Sequence, residues 1–337
     1  MPRVSVIVPS YNHGRFLTQC LTSVQDQEFQ DWEVVLIDDG SQDDSLAVAQ
    51  GFAESDPRFK VSQNVANLGA YATQAKALES CSGEFVAILN SDDYWEAKKL
   101  NLQTEALSRR PECPVCYCLG WTVDTGGVTD LTNDVHGAWP VTPVQDLLPY
   151  LVFENRILAS SVLVRREALQ YDTSLRYSGD WWLMLRLAQL GPVACVPDRL
   201  TFWRLHESNS YLISPDQVVE EVRFRRAVQT AGREFPDTPG VRDGLMQNYI
   251  NLVSLLVLCG DMAGARAVSA ESLNVLGDRP GSSEIRRRAL KRLWSSYLPK
   301  WWIQNHLWGR SGVDVSLFDR PSVRQSLADS RPLCLRT

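Results

Sequence analysis

The chain has 337 residues, is 44% hydrophobic and 22% charged, and carries a net charge of −6 with a pI near 5.4. That length allows one large domain with an appendage, or two domains. The acidic balance excludes broad nucleic-acid binding, which needs a basic face. The most apolar stretch, Tyr249 to Cys259, is too short to cross a bilayer. A phosphate-bearing ligand stays open, because a bound metal can supply positive charge locally.

The N-terminus, Met1-Pro2-Arg3-Val4, runs directly into a strand pattern and leaves no room for a signal peptide, so a cytoplasmic protein is expected. Of the eight cysteines, Cys20, Cys116, Cys195 and Cys259 lie inside apolar runs and are expected to be reduced core residues. Cys113 and Cys116 form a C-x-x-C without the second half that a structural zinc site needs.

Val4 to Pro9 reads as a short buried strand, and Ser10-Tyr11-Asn12-His13-Gly14 as a loop. Phe16, Leu17, Cys20, Leu21 and Val24 then recur at helical spacing. Glu33 to Asp38 is a second strand, ending in Asp38-Asp39 and a turn. Asp43-Asp44-Ser45 caps a helix carrying Leu46, Val48, Ala49 and Phe52. Phe59 to Val61 is a short strand, and Asn67-Leu68-Gly69-Ala70 leads into a helix through Leu78. This alternation predicts a mostly parallel sheet with helices on both faces.

The central feature is Val86 to Asp93, an apolar run that ends in two adjacent carboxylates, Asp92 and Asp93. A strand hydrophobic on both faces is a buried parallel strand, and ligands bind at the carboxyl ends of such strands. Two neighbouring carboxylates need compensation, and a hard divalent cation, Mn²⁺ or Mg²⁺, supplies it. The plainer alternative is a solvated Asp-Asp turn. There is no Gly-rich dinucleotide turn after the first strand and no phosphate-binding G-x-x-x-x-G-K-[ST] loop.

Cys116 to Cys118 and Trp121 to Val123 look like strands, Asp124 to Gly137 is polar and turn-rich, and Leu158 to Val164 reads as another strand. Residues 181, 184, 185 and 188 make an amphipathic helix whose N-terminal edge carries Asp180, where a plain helix cap is the simple explanation. His206 follows the strand-like Phe202 to Leu205, where a solvated loop histidine is the simple explanation. From 213 to 337 the pattern is mostly helical, over Val218–Ala231, Leu245–Leu258 and Asp261–Leu276. The stretch from Glu284 to Trp308 combines Arg286, Arg287, Arg288, Lys291 and Arg292 with Trp294, Tyr297, Trp301, Trp302 and Trp308. Two readings stand for it: peripheral contact at a bilayer interface, or tryptophans packed within protein. The tail from Pro321 to Thr337 reads as loosely ordered.

Six segments together, Val4 to Asn12, Ile37 to Ser41, Asn67 to Gly69, Leu89 to Asp93, Ser178 to Asp180 and Arg204 to His206, resemble the family-2 glycosyltransferases of the GT-A fold. The resemblance covers about residues 1–212 and leaves 213–337 as a separate, mostly helical region. It implies that Pro9 and Tyr11 pack on a nucleotide base, that Asp39 hydrogen-bonds a uracil ring, and that Asp92 lies near the ribose and diphosphate. It implies that Asp93 is a direct metal ligand, that His206 reaches the metal or diphosphate, and that Asp180 is the catalytic base. Trp181, next to that base, is a candidate to line the acceptor site, and residues 120–140, with Trp121, His136 and Trp139, form a candidate acceptor loop. The implied reaction moves a sugar from a nucleoside-diphosphate donor, a UDP-sugar, to a hydroxyl of a saccharide or lipid-linked saccharide with inversion, as in bacterial surface-glycan synthesis. Two departures matter: Asn90 stands where members often carry Asp, and Gln74-Ala75 where they often carry Arg-Asn. The competing readings are a sugar nucleotidyltransferase, a non-catalytic nucleotide- or sugar-binding module, and a retaining transferase on the same fold.

Overall fold

The computed structural model describes residues 1–137, 139–207, 209, 214–276, 315–318, 320–329, 333 and 335. The 284–308 stretch lies outside the described residues. The chain divides into two compact units: residues 1–146, 156–183 and 187–209, and residues 147–155, 184–186 and 210–337.

The first unit is built on a ten-stranded sheet flanked by helices. In chain order it runs β1 (Val4–Ser10), α1 (Gly14–Gln25), β2 (Trp32–Asp38), α2 (Ser45–Ser55), β3 (Phe59–Gln63), α3 (Ala70–Leu78), β4 (Phe85–Ile88), β5 (Tyr94–Trp95) and α4 (Lys99–Ser108). There follow β6 (Val115–Val123), β7 (Thr129–Asp130), β8 (Val144–Gln145), β9 (Val162–Arg165), α6 (Gly179–Leu190) and β10 (Val193–Arg204), with α5 (Leu148–Leu151) belonging to the second unit. The strand order is β3-β2-β1-β4-β9-β6-β10-β5.

The parallel core, β3-β2-β1-β4, follows directly from the apolar runs and their helical crossovers. The sheet is mixed beyond it, because β9 lies antiparallel to both β4 and β6. Two reversals restore direction, so β6 and its parallel neighbour β10 point the same way as β1 and β4. The carboxyl ends of β1, β4 and β10 therefore lie along one edge.

The pleat sorts the core. Val4, Val6, Val8, Val34, Leu36 and Ala87 meet α1 through Leu17, Cys20, Leu21 and Val24, and meet α4 through Leu100 and Leu107. The helical face read for α1 from spacing is the buried one. The two strands expected around residues 116–123 are one, β6, which passes through Gly120. A Cβ there would lie 2.8 Å from the Thr201 carbonyl oxygen of β10, so the close pairing needs glycine. The strand expected over 158–164 begins later, because Ala159–Ser161 forms a 3₁₀ turn.

The second unit has α5, α7 (Pro215–Ala231), α8 (Pro239–Leu258), α9 (Met262–Leu276) and α10 (Pro321–Asp329). Its core joins Val218 and Val222 to Met246, Leu252 and Leu256, with Phe318, Val323 and Leu327. Residues 321–329, expected to be loosely ordered, form a helix because Val323 and Leu327 fall four apart on one buried face. Gly244 lets α8 approach α5, since a Cβ there would lie 2.2 Å from the Pro149 carbonyl oxygen. Among the described residues no helix is long and apolar enough to cross a membrane.

One polar knot lies inside the parallel core. Glu33 accepts from Ser5 Oγ at 2.7 Å, from Ser82 N and Oγ at 2.8 Å each, and from Lys60 Nζ at 2.5 Å. Burial opposes the Glu33 charge, yet the hydrogen bonds from Lys60, Ser5 and Ser82 outweigh it and hold the carboxyl at about 2. A depressed native pKa gives stability that is present above the unfolded value of 4.5 and is lost as pH falls towards 2. We expect Glu33→Gln to lower stability at pH 7 by on the order of 2 kcal/mol, less than the full shift implies because Lys60 is half exposed and screened. Urea denaturation of both proteins at pH 7 and near pH 2.5 checks this: the difference should shrink in acid.

Candidate functional site

The site is assembled from loops at the carboxyl edge of the sheet. His13 follows β1, Asp92 and Asp93 follow β4, and His206 follows β10. His206 Nε2 lies 3.0 Å from Asp92 Oδ2, and His13 Nε2 lies 4.0 Å from the same oxygen. Asn209 Nδ2 approaches that oxygen at 3.4 Å. One ligand atom each from His13, Asp92 and His206 falls within 4.8 Å of the others. Burial opposes the charge on Asp92, but the His206 hydrogen bond and the nearby His13 and His206 rings hold its carboxyl below the usual range. Burial holds the His13 imidazole below its usual range as well.

The two neighbouring carboxylates diverge. Asp93 Oδ2 accepts from Ser160 Oγ at 2.5 Å and Asp93 Oδ1 from the Arg204 amide at 3.0 Å. Burial, then the charge of Asp92, pushes the Asp93 carboxyl well above the carboxylate range. Asp93, expected as the direct metal ligand, is thus turned into the protein, and Asp92 is the carboxylate that faces the imidazoles. The 3₁₀ turn at 159–161 is the cause, because it aims Ser160 at Asp93 and lets the Ser160 hydroxyl accept from the Asn90 amide at 3.0 Å.

Arg204 locks this corner. Its guanidinium donates to the carbonyls of Asp92 (2.9 Å), Asp124 (3.0 Å) and Thr125 (3.1 Å) and to the Gln19 side-chain oxygen (2.6 Å). It lies over the Phe16 and Tyr94 rings and is 1% exposed.

The other expected residues fall into two groups. Asp39, expected on a base, accepts from Asn64 Nδ2 (2.8 Å), Leu68 N (2.9 Å) and Gly69 N (2.9 Å), which fixes the loop into α3. Pro9 is buried within β1, whereas Tyr11 is 43% exposed beside the same edge. Asp180 stands in the first turn of α6, half-buried, and its Oδ1 accepts from Trp181 N at 2.8 Å. Tyr71 of α3 places its hydroxyl 3.4 Å from that same oxygen and 3.2 Å from the Tyr177 carbonyl. Gly179 makes room for the Tyr71 ring, which a Cβ would meet at 2.5 Å.

The expected acceptor residues are mostly turned inward. Trp181 and Trp182 are 8% and 6% exposed, so neither offers an open ring face. His136 is buried with Nε2 accepting from the Gly120 amide at 2.9 Å, and burial lowers its pKa to about 4. Trp139 is buried too. Cys113 and Cys116 are buried and join no metal-capable group among the described residues. Sequence reasoning missed His13, Tyr71, Ser160 and Arg204. His13 carried a usable signal, its place in the loop after a strand whose carboxyl edge forms the site, and Arg204 lay in a segment that carries the family resemblance.

Residues 5–161 match the profile of "Glycosyl transferase family 2". That part of the chain belongs to glycosyltransferase family 2. A Bacillus subtilis (strain 168) protein described as a teichuronic acid biosynthesis glycosyltransferase, TuaG, is 35% identical over 141 residues, which are 42% of this chain and 55% of that protein. The chain spans about half the length of the curated relatives it matches, 55% and 48% of the first two. Among solved structures, S. aureus TarS 1–349 in complex with UDP shares the fold, with a TM-score of 0.61 at 18% identity over 91% of this chain and 92% of that one. The mannosyltransferase PcManGT from Pyrobaculum calidifontis, in complex with GDP-Man and Mn²⁺, has a TM-score of 0.54 at 17% identity, over 91% of this chain and 85% of that one.

Replacing Arg204 by Met would leave the buried Asp92 carbonyl, the partly buried Asp124 and Thr125 carbonyls and the Gln19 side-chain oxygen without their donor. The expected loss is about 3 kcal/mol or more, read from the urea midpoint at constant slope.

Proposed function

We propose that this chain transfers a sugar from a nucleoside diphosphate, a UDP-sugar, to a hydroxyl of a saccharide or lipid-linked saccharide, inverting the anomeric centre. The observation that carries this reading is the convergence of Asp92, His206 and His13 at the carboxyl edge of a glycosyltransferase sheet. The donor set fits Mn²⁺ or Mg²⁺, a carboxylate with imidazoles and room for further oxygen ligands. A divalent cation there would neutralise the charge that develops on the departing diphosphate. The assignment of UDP is supported by the UDP complex of the structural neighbour TarS. The surface-glycan setting is supported by TuaG, whose name is a teichuronic acid one.

The protein's own groups account for the rest. Tyr11, exposed at the edge, offers a face for the nucleotide base, with Pro9 setting the loop behind it. Asp39 holds the loop that flanks the same pocket and has carboxylate lone pairs left for a ring N–H. The acceptor oxygen bonds to the anomeric carbon as the bond to the diphosphate breaks, and its proton passes to the Asp180 carboxylate. One displacement with one base inverts the configuration. Trp181 N holds one Asp180 oxygen, and the Tyr71 hydroxyl sits beside it, so the carboxylate is aimed before substrate arrives. In this reading residues 1–212 form the catalytic domain and 213–337 the helical region that contributes to acceptor choice.

Two measurements test it. Calorimetry with UDP, GDP, CDP and dTDP should show binding of UDP with Mn²⁺ that EDTA abolishes; GDP bound in its place would change the donor and keep the reaction. No nucleotide bound in the presence of metal would sink the reading. Asp180→Asn should keep UDP binding and lose about 100- to 10,000-fold in transfer rate; transfer at the wild-type rate would remove Asp180 as base.

A further inference from the structure

The first residue of α4 is a lysine, and it is fully buried. The helix turns Leu100 and Leu107 into the main core, and Lys99 enters the same interior. Among the described residues no atom accepts a hydrogen bond from its Nζ. The ammonium instead stands over the Trp95 ring, 3.9 Å from the centroid. Burial brings the amine down to about 8, so it is still mostly a cation at neutral pH. An unpaired charge in a core costs stability, and a buried group left unmatched calls for an explanation. The Trp95 ring supplies one, because the face of an indole attracts a cation, most strongly away from water.

Trp95 is a short link to the acid pair. It is 4% exposed, its Nε1 donates to the Ser160 carbonyl at 2.7 Å, and Ser160 Oγ donates to Asp93 Oδ2 at 2.5 Å. A cation over the ring draws electron density from the indole and makes its N–H a stronger donor. Gln103 stands one turn beyond Lys99 on the same side of α4. Its Nε2 donates to the next carbonyl, that of Ser161, at 2.8 Å. The short turn at 159–161 is thus held by two side chains of α4, Gln103 directly and Lys99 through Trp95.

We infer that Lys99 is a positioning residue: as a cation on Trp95 it fixes the Ser160 turn, and through that turn it keeps Asp93 pointed into the protein while Asp92 faces the imidazoles. The charge performs this task and not the volume of the side chain. The relay itself stands on the contacts of Lys99, Trp95, Ser160 and Asp93. Its effect on a bound nucleotide rests on the metal-assisted reading above.

The test uses Lys99→Met, which keeps an apolar stem and removes the charge. NMR of the chain with isotope-labelled tryptophan reads the relay without any ligand, the Trp95 indole signal being assigned with Trp95→Phe. In Lys99→Met that N–H signal should move upfield, as the signal of a weakened donor does, and an unmoved signal overturns the relay. Calorimetry with UDP and Mn²⁺ should show affinity about threefold to tenfold weaker in Lys99→Met, the cation–π contribution expressed as a binding ratio. The urea midpoint should rise at the same time, because an unpaired buried ammonium is gone. Affinity and midpoint falling together would make Lys99 an ordinary core residue and overturn the inference. Trp95→Phe keeps a ring beneath Lys99 and removes the N–H. It should cause a similar loss of affinity, and the double variant no more than either alone; losses that multiply overturn the relay. Wild-type UDP affinity in Lys99→Met overturns the inference and leaves the nucleotide reading standing. A wild-type chain that binds no nucleotide with Mn²⁺ removes that reading, and the indole signal then decides the relay.

Discussion

Arg204 sits at the end of β10 with its guanidinium on the Asp92 carbonyl, on two carbonyls of the loop after β6 and on Gln19 of α1, while its own amide caps Asp93. A buried cation of this kind is stable only when its donors are all met and negative charge lies close. Four guanidinium hydrogen bonds are made here, and the Asp92 and Asp93 side chains belong to the same corner. Four chain segments are thereby tied at one point. His206, two residues further on, reaches Asp92 only because this tie fixes where β10 ends. The acid pair is divided as a result: Asp93 is bonded into the interior through Ser160 and the Arg204 amide, and Asp92 faces the imidazoles.

Much of this was legible in the sequence, and the reasons differ residue by residue. The strands β1, β2 and β4 were readable because parallel strands buried on both faces are continuous apolar runs. Asp92, Asp180 and His206 were placed at element ends, where function concentrates in such folds. The roles of Asp92 and Asp93 were not separable, because what distinguishes them is Ser160, a residue 67 positions away on a turn that the sequence presents as part of a strand. His136 and Trp139 look like surface residues of a polar loop. Their burial depends on pairing with β6 through the Gly120 amide, which no local pattern announces. The helix at 321–329 is too short for propensity to decide, and its order comes from tertiary contacts of Val323 and Leu327.

Asp39 illustrates how one carboxylate can serve a distant one. Its bonds to the Leu68 and Gly69 amides shape the turn that starts α3, and Gly69 takes a φ of 91° there, a conformation that favours glycine. The first turn of α3 then delivers Tyr71 to Asp180, and Asn67 of the same loop accepts from Arg176 at 3.1 Å. Asp180 and the loop that Asp39 shapes are thus mechanically linked. Gln74 of α3 is 2% exposed, so this position adds packing and not charge.

The double reversal around β9 has a consequence for how the protein comes to be folded. The donors come from three strand ends, and the pair His206 and Asp92 is separated by 114 residues in sequence. Local helices and the β1–β2–β3 segment can form early, but contacts of such long range close late because they carry the greatest loop entropy. The cluster therefore exists only once β9, β6 and β10 have all docked. A cation that bound the assembled cluster and not partly assembled chains would stabilise the completed sheet, by about 2.7 kcal/mol at a hundred times its dissociation constant. Cation binding at this cluster would in this sense report finished folding.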